Sequence, residues 1–443
     1  MKVEFDFDRM NQVLKDTDLL TYSGEVCQVT GLTIESIGPV ARVGEICRII
    51  PLKNDQSIVS AEITGFKGNN ILLMPYGDVS GIGPGSKVVS TGKLLSVPVG
   101  MQYIGRILDG LGRPIDDAGE IQTHEYYNVN NPPPDPLKRK RIKEVLPLGV
   151  KAIDGLLTCG RGQRIGLFAG SGVGKSTLLG MIARNAKADV NVITLVGERG
   201  REVSDFIEKD LKEEGLKKSV LVVATSDQPA LTRVRAAMVG TSIAEYYRDQ
   251  GLSVLFLMDS LTRFAMAQRE IGMATGEPPV SRGYTPSVFS MLPRLLERTG
   301  NSDKGSITGI YTVLVDGDDM NEPIADSVRG ILDGHIVLSR ALANKNHYPA
   351  IDILASISRV MPDVVSCEHM DLARKIKQYM SVYKDAEDLI TIGAYKKGTS
   401  PEIDKAMDLH KDIEGLVCQM IEEGFSFEET LQQMKGLFKG DAP

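Results

Sequence analysis

Arg164-Ile165-Gly166-Leu167-Phe168-Ala169-Gly170-Ser171-Gly172-Val173-Gly174-Lys175-Ser176-Thr177 is the stretch that decides the fold. An apolar strand runs into a glycine-rich loop, and Leu178–Ala183 continues as a helix. The glycines let backbone N–H groups close around phosphate oxygens, and the helix N-terminus adds partial positive charge. In this pattern Lys175 reaches the β- and γ-phosphates and the Ser176 hydroxyl coordinates Mg²⁺. Gly170, Ser171, Gly172, Val173, Gly174, Lys175, Ser176 and Thr177 are therefore the predicted cradle for ATP. The pattern ordinarily opens on glycine, and here Ala169 stands in that place.

Binding alone does not imply hydrolysis. Val254–Met258 is a second apolar strand, and it ends on Asp259, an acid placed to hold Mg²⁺ beside Ser176. A third strand ends in Val196-Gly197-Glu198-Arg199-Gly200-Arg201-Glu202. A carboxylate at the C-terminal end of a strand lies at the ligand edge of a parallel sheet. Glu198 is thus the candidate base that orients the attacking water.

Outward from the loop, the chain reads in parts. Residues 94–365 alternate strand-like runs with helical stretches, which implies a parallel sheet covered by helices on both faces. Upstream, 22–93 holds short apolar runs between turn signals such as Gly38-Pro39 and Gly83-Pro84-Gly85, the spacing of a small β-barrel. Residues 1–21 carry Phe7, Met10, Val13 and Leu14 near one helical face, a candidate partner-binding helix. Residues 366–443 read as helical, with Ser400-Pro401 as a helix start and Ser426 with Glu429 as a capping box.

The formal net charge of −7 argues against sequence-independent nucleic-acid binding. The basic run Lys138–Arg141 follows a proline-rich stretch and reads as a solvated linker face. The five cysteines have no CxxC spacing, so neither disulfides nor a zinc site is expected. The acidic N-terminus does not read as a signal peptide, which points to the cytoplasm.

Together the phosphate loop, the Gly197-Glu198-Arg199 turn, the Asp259 strand, Tyr348–Asp352 and Ser356–Arg359 resemble the rotary-ATPase catalytic subunits. The runs 169–184 and 311–320 look like those of the ATPases of type III protein export, and 321–336 is more similar to the flagellar branch than to the virulence branch. The resemblance implies an α/β fold: an N-terminal β-barrel that forms a ring, a RecA-like core and a C-terminal helical domain. It implies Glu198 as catalytic carboxylate, Arg199 as a γ-phosphate contact, Glu202 as a residue supporting the metal, and Tyr348 stacking on adenine. Tyr383 or Lys384 stands near the place of a second base contact. Arg359 matches an arginine finger that enters from the neighbouring subunit. The implied assembly is a homohexamer with a stalk protein in its pore. The implied partners are a stator-like protein at the N-terminus, export chaperone–substrate complexes and the membrane export gate, at the inner face of the cell membrane. Arg282–Pro286 and Glu297–Gly300 would be pore loops. A rotary ATP synthase subunit, a virulence secretion ATPase, an RNA translocase and a non-catalytic scaffold are the rival readings.

Overall fold

The computed structural model describes residues 22–52, 57–315, 317 and 319–438; the helix expected over 1–21 lies outside them. Two compact units result, one from the chain up to Leu95 with Ala274–Gly276, the other from Ser96–Met273 and Glu277 onward.

The first unit is a closed antiparallel barrel. Its strands are β1 (Ser23–Thr30), β2 (Thr33–Ile37), β3 (Glu45–Ile50), β4 (Val59–Lys67), β5 (Asn70–Pro75) and β6 (Lys87–Leu94), in the order β1-β2-β5-β4-β3-β6. Alternate residues point inward, so Val26, Ile34, Ile49, Ile63, Leu73 and Val88 fill the interior. Closure leaves no free sheet edge. At the seam between β1 and β2 the backbones touch: a Cβ on Gly24 would lie 2.2 Å from the carbonyl carbon of Gly38, so only glycine fits.

The second unit opens with a ribbon of β7 (Ser96–Val99) and β9 (Glu125–Asn128). Its main sheet holds β8 (Ile107–Asp109), β10 (Arg164–Ala169), β11 (Val190–Glu198), β12 (Ser219–Thr225), β13 (Ser253–Asp259), β14 (Gly300–Asn301), β15 (Ser306–Leu314), β16 (Gly334–Leu338) and β17 (Ile351–Ser358). The order is β17-β16-β10-β15-β13-β11-β12-β8, with β14 beside β15. All pairs are parallel except β17 with β16 and β14 with β15. Every residue of β13 is buried, and since alternate side chains face opposite ways, both faces of the sheet are covered.

After the sheet and the short helix Met361–Val364 come three longer helices, Cys367–Thr391, Pro401–Val417 and Phe427–Gly436. The capping box of Ser426 and Glu429 is present. Ser400 occupies the N-cap before Pro401 without a side-chain cap bond, its N–H donating instead to the Tyr395 hydroxyl. Buried His369 holds the first of these helices to the segment Lys151–Leu156 by a 2.7 Å contact from Nε2 to the Gly155 carbonyl. Among the described residues no helix is long and apolar enough to cross a membrane.

Two surface expectations are corrected. Arg298, expected on a pore loop, is 4% exposed and Thr299 is fully buried. The Arg298 guanidinium donates twice to Glu245 (2.8 and 2.7 Å), and also to Ser242 and the Val129 carbonyl. A charge this buried persists because its donors are satisfied. Likewise Arg139, from the basic run, is not a solvated linker residue: it donates to the main-chain carbonyls of Glu297 and Thr299. Glu245→Ala strands the Arg298 charge, and is expected to cost about 3–5 kcal/mol, read as a lower urea midpoint. A loss under about 1 kcal/mol, typical of exposed pairs, would mean that water reaches the cluster.

Candidate active site

β10 ends at Ala169, and five residues separate it from the helix Lys175–Asn185. Ala169 is buried at the strand end, its carbonyl accepting from Val315 N–H at 3.0 Å, so the methyl is accommodated there. Gly172 and Gly174 carry positive φ values of 78° and 89°, the left-handed backbone that folds the loop back on itself. No side chain caps the helix, and its first turn has no acid, so its N–H groups stay free for an anion.

From the first helical position Lys175 leans across β15 toward β13. Its Nζ lies 2.5 Å from Asp259 Oδ1 and 3.5 Å from Glu198 Oε1. Buried Thr312, on the intervening β15, donates to the same Asp259 oxygen at 2.7 Å. The structure thus brings Lys175, Asp259 and Glu198 together. Burial works against the Lys175 ammonium, but the two carboxylates outweigh it and hold its proton above the ordinary lysine range. Burial pushes the Glu198 carboxyl up to about 7; Lys175 opposes this, and the Asp259 charge adds to it. Glu198 Oε1 makes an ionic contact with Lys175, yet it is buried with no hydrogen bond among the described residues. An acceptor held at the ligand edge with no hydrogen bond of its own suits an incoming water.

Arg199 is placed differently, while Glu202 stands beside the Glu198 carboxyl and helps to raise it. Arg199 and Glu202 pair with each other at 3.5 Å with largely exposed side chains. The reading of the sequence passed over Arg263, one turn beyond Asp259. Its stem packs on Gly197, where a Cβ would meet its own Cβ at 2.9 Å, and its Nε is buried without a hydrogen bond among the described residues. The one signal for it was its spacing after the acid-ended strand.

β17 decides the rest. It runs antiparallel to β16, pairing Leu338 with Ile351 and Gly334 with Ser358, while β10 pairs Ala169 with Leu338. Tyr348, before β17, therefore sits at the phosphate-loop edge; a Cβ on Gly174 would touch its ring at 3.5 Å. Arg359, after β17, sits at the opposite edge, roughly 20 Å of strand away, exposed and reaching the Leu332 carbonyl at 3.4 Å.

Beside the loop opens a cavity of about 770 Å³ lined by Gly172, Gly174, Thr177, Tyr348 and the connection Cys418–Glu423. Its size is that of a small-molecule pocket. Neither Tyr383 nor Lys384 lines it: Tyr383 stacks on His410 with ring centroids 3.6 Å apart, and Lys384 faces Asp352 at 3.7 Å. The Ser176 hydroxyl and the Asp259 carboxylate are hard oxygen donors. Two such ligands fit Mg²⁺, which keeps several waters and takes the rest of its shell from substrate phosphates.

Known proteins resemble this chain over most of its length. The nucleotide-binding domain of the ATP synthase alpha/beta family matches residues 149–358, and that family's beta-barrel domain matches 26–92. The T3SS EscN ATPase C-terminal domain matches 365–436. The flagellum-specific ATP synthase of Bacillus subtilis is 55% identical over 421 residues, covering 95% of this chain and 96% of that protein. The type 3 secretion system ATPase of Xanthomonas euvesicatoria is 48% identical, covering 92% of each chain. The structure of the assembled ATPase EscN from enteropathogenic E. coli superposes with a TM-score of 0.87 at 47% identity, over 94% of this chain and 99% of that one; EscN is also solved with its central stalk EscO. On these grounds the chain belongs to the family of flagellum-specific ATP synthases and type III secretion ATPases, and it is an ATPase.

Proposed function

We propose that this chain hydrolyses ATP as a homohexameric ring that energises flagellar type III protein export. Lys175 and the N–H groups of Gly170–Thr177 hold the phosphates, and Tyr348 stacks on adenine. Glu198 accepts a hydrogen bond from the attacking water and aligns it with the γ-phosphorus. Ser176 and Asp259 would hold Mg²⁺, with Glu202 behind them, and the ion when bound neutralises phosphate charge. Arg199 swings from solvent to the γ-phosphate when nucleotide enters. Arg359 completes the site of the next subunit. A stalk protein in the pore is supported by the EscN–EscO structure, and Arg282, exposed and paired with Asp319, stands on the loop that would face it. Stator-like partners at 1–21, chaperone–substrate complexes at the helical tail and the membrane export gate complete the assembly, at the inner face of the membrane. The ATPase releases and unfolds export substrates there. No nucleic acid takes part.

The observation that carries this reading is the position of Arg359, at the sheet edge away from its own phosphate loop. The same edge strand exposes Leu354 and Ile357, apolar side chains suited to a subunit contact. ATPase rate per chain is therefore expected to rise steeply with protein concentration and to track the oligomer measured by mass. A flat rate from a proven monomer would sink the shared site.

A further inference from the structure

Tyr348 shares the lining of the cavity with the connection Cys418–Glu423, a loop between two tail helices. Loops of this kind move readily unless their backbone is tied down. Gln419 supplies the tie. Its side chain is buried, and its Oε1 accepts from the Lys151 N–H at 2.9 Å. Its Nε2 donates to the carbonyls of Gly149 and Glu423, each at 2.9 Å. Its own backbone N–H donates to the Tyr348 carbonyl at 3.0 Å. Lys151, Tyr348 and Glu423 all line the cavity. Both amide hydrogens and the amide oxygen are engaged, so Gln419 has no donor left to offer a ligand. Its contribution is to the geometry of the walls.

We propose that Gln419 is a positioning residue for nucleotide affinity, setting the width of the base cavity by bonding both walls at once. This rests on the reading that the cavity receives the base. Without the amide, the Lys151 N–H and two carbonyls lose buried partners, and the loop is left with the backbone bond to Tyr348 and the Arg184 contact at Ile421, so its wall shifts. The phosphate loop keeps its own hydrogen bonds. The consequence is selective: grip on the base weakens while grip on the phosphates holds.

The test uses the full chain with Gln419→Met, which keeps length and loses the amide, Gln419→Asn, which keeps the amide on a shorter stem, and Tyr348→Ala. KM and kcat for ATP are compared with competitive inhibition by inorganic tripolyphosphate, which has no base. Gln419→Met is expected to raise KM about tenfold, to lower kcat less than about twofold and to leave tripolyphosphate inhibition unchanged; Gln419→Asn should fall between it and wild type. Equal weakening toward ATP and tripolyphosphate, or an unchanged KM, overturns the proposal. If Gln419→Met does not fold, the milder Gln419→Asn carries the same comparison. Tyr348→Ala is the separate control. If it leaves the preference for ATP over tripolyphosphate intact, the base lies elsewhere and the underlying reading of the cavity fails.

Discussion

Arg359→Ala is expected to lower turnover by about 10³–10⁵-fold while leaving ATP affinity nearly unchanged. Charge spreads over the γ-phosphoryl oxygens as the bond to the leaving group loosens, and a guanidinium aimed there stabilises the transition state more than the bound substrate. The same logic predicts loss in kcat with little change in KM. In its own subunit Arg359 stands at the wrong edge of the sheet for this work, since β17 runs antiparallel and carries it away from Lys175. Its own main chain is anchored, with N–H donating to the Asp333 carbonyl at 3.0 Å, so the side chain cannot swing round to the loop. A site shared between subunits makes a further prediction that a site within one chain does not. Mixing inactive Arg359→Ala with inactive Glu198→Gln protein should restore activity, because a phosphate loop with intact Glu198 then meets a neighbour with intact Arg359. Mixed assemblies that stay inactive, with assembly confirmed by mass, would show that both residues act within one chain.

The cluster of Lys175, Asp259 and Glu198 at the end of the phosphate loop was legible in the sequence because it is local. Glycine spacing bends the loop, the next residues start the helix, and Asp259 and Glu198 each end an apolar run. Those runs are continuous because β11 and β13 are buried on both faces, which leaves little room for polar alternation. What stayed hidden depends on partners far along the chain. Arg298 reads as a surface charge until Glu245, 53 residues earlier, is seen to accept from two of its three nitrogens, Nε and Nη2. Gln419 looks like any polar loop residue, and its acceptor bond reaches 268 residues back to Lys151. The reversed direction of β17 has no local signature either. Its mixed pattern of buried and exposed residues comes from an edge position, and the family motif at either end gave no hint that the two ends lie at opposite edges.

Glu198→Gln should abolish hydrolysis, with turnover falling by about 10²–10⁴-fold, while nucleotide binding persists. The amide keeps the shape of the carboxylate but is a far weaker acceptor for a water proton. In the proposed reading the phosphate loop holds the nucleotide, and there the substitution touches the contact with Lys175. A variant that loses nucleotide and turnover together would make Glu198 a structural partner of Lys175 instead. The nucleotide-free protein offers a second readout. Burial raises the Glu198 carboxyl from its ordinary 4.5 to about 7, so between those values the native chain binds a proton that the unfolded chain has lost. Stability contributed by this group therefore falls as pH rises through that window, and above it the buried charge carries its full cost. Glutamine never ionises. The variant is expected to melt above wild type at pH 8, with the gap closing as pH falls toward 4.5. If it melts lower at pH 8, attraction to Lys175 outweighs burial, and Glu198 belongs to a stabilising ion pair rather than being an acceptor kept for water. That outcome, together with retained turnover, would move the catalytic carboxylate elsewhere in the site.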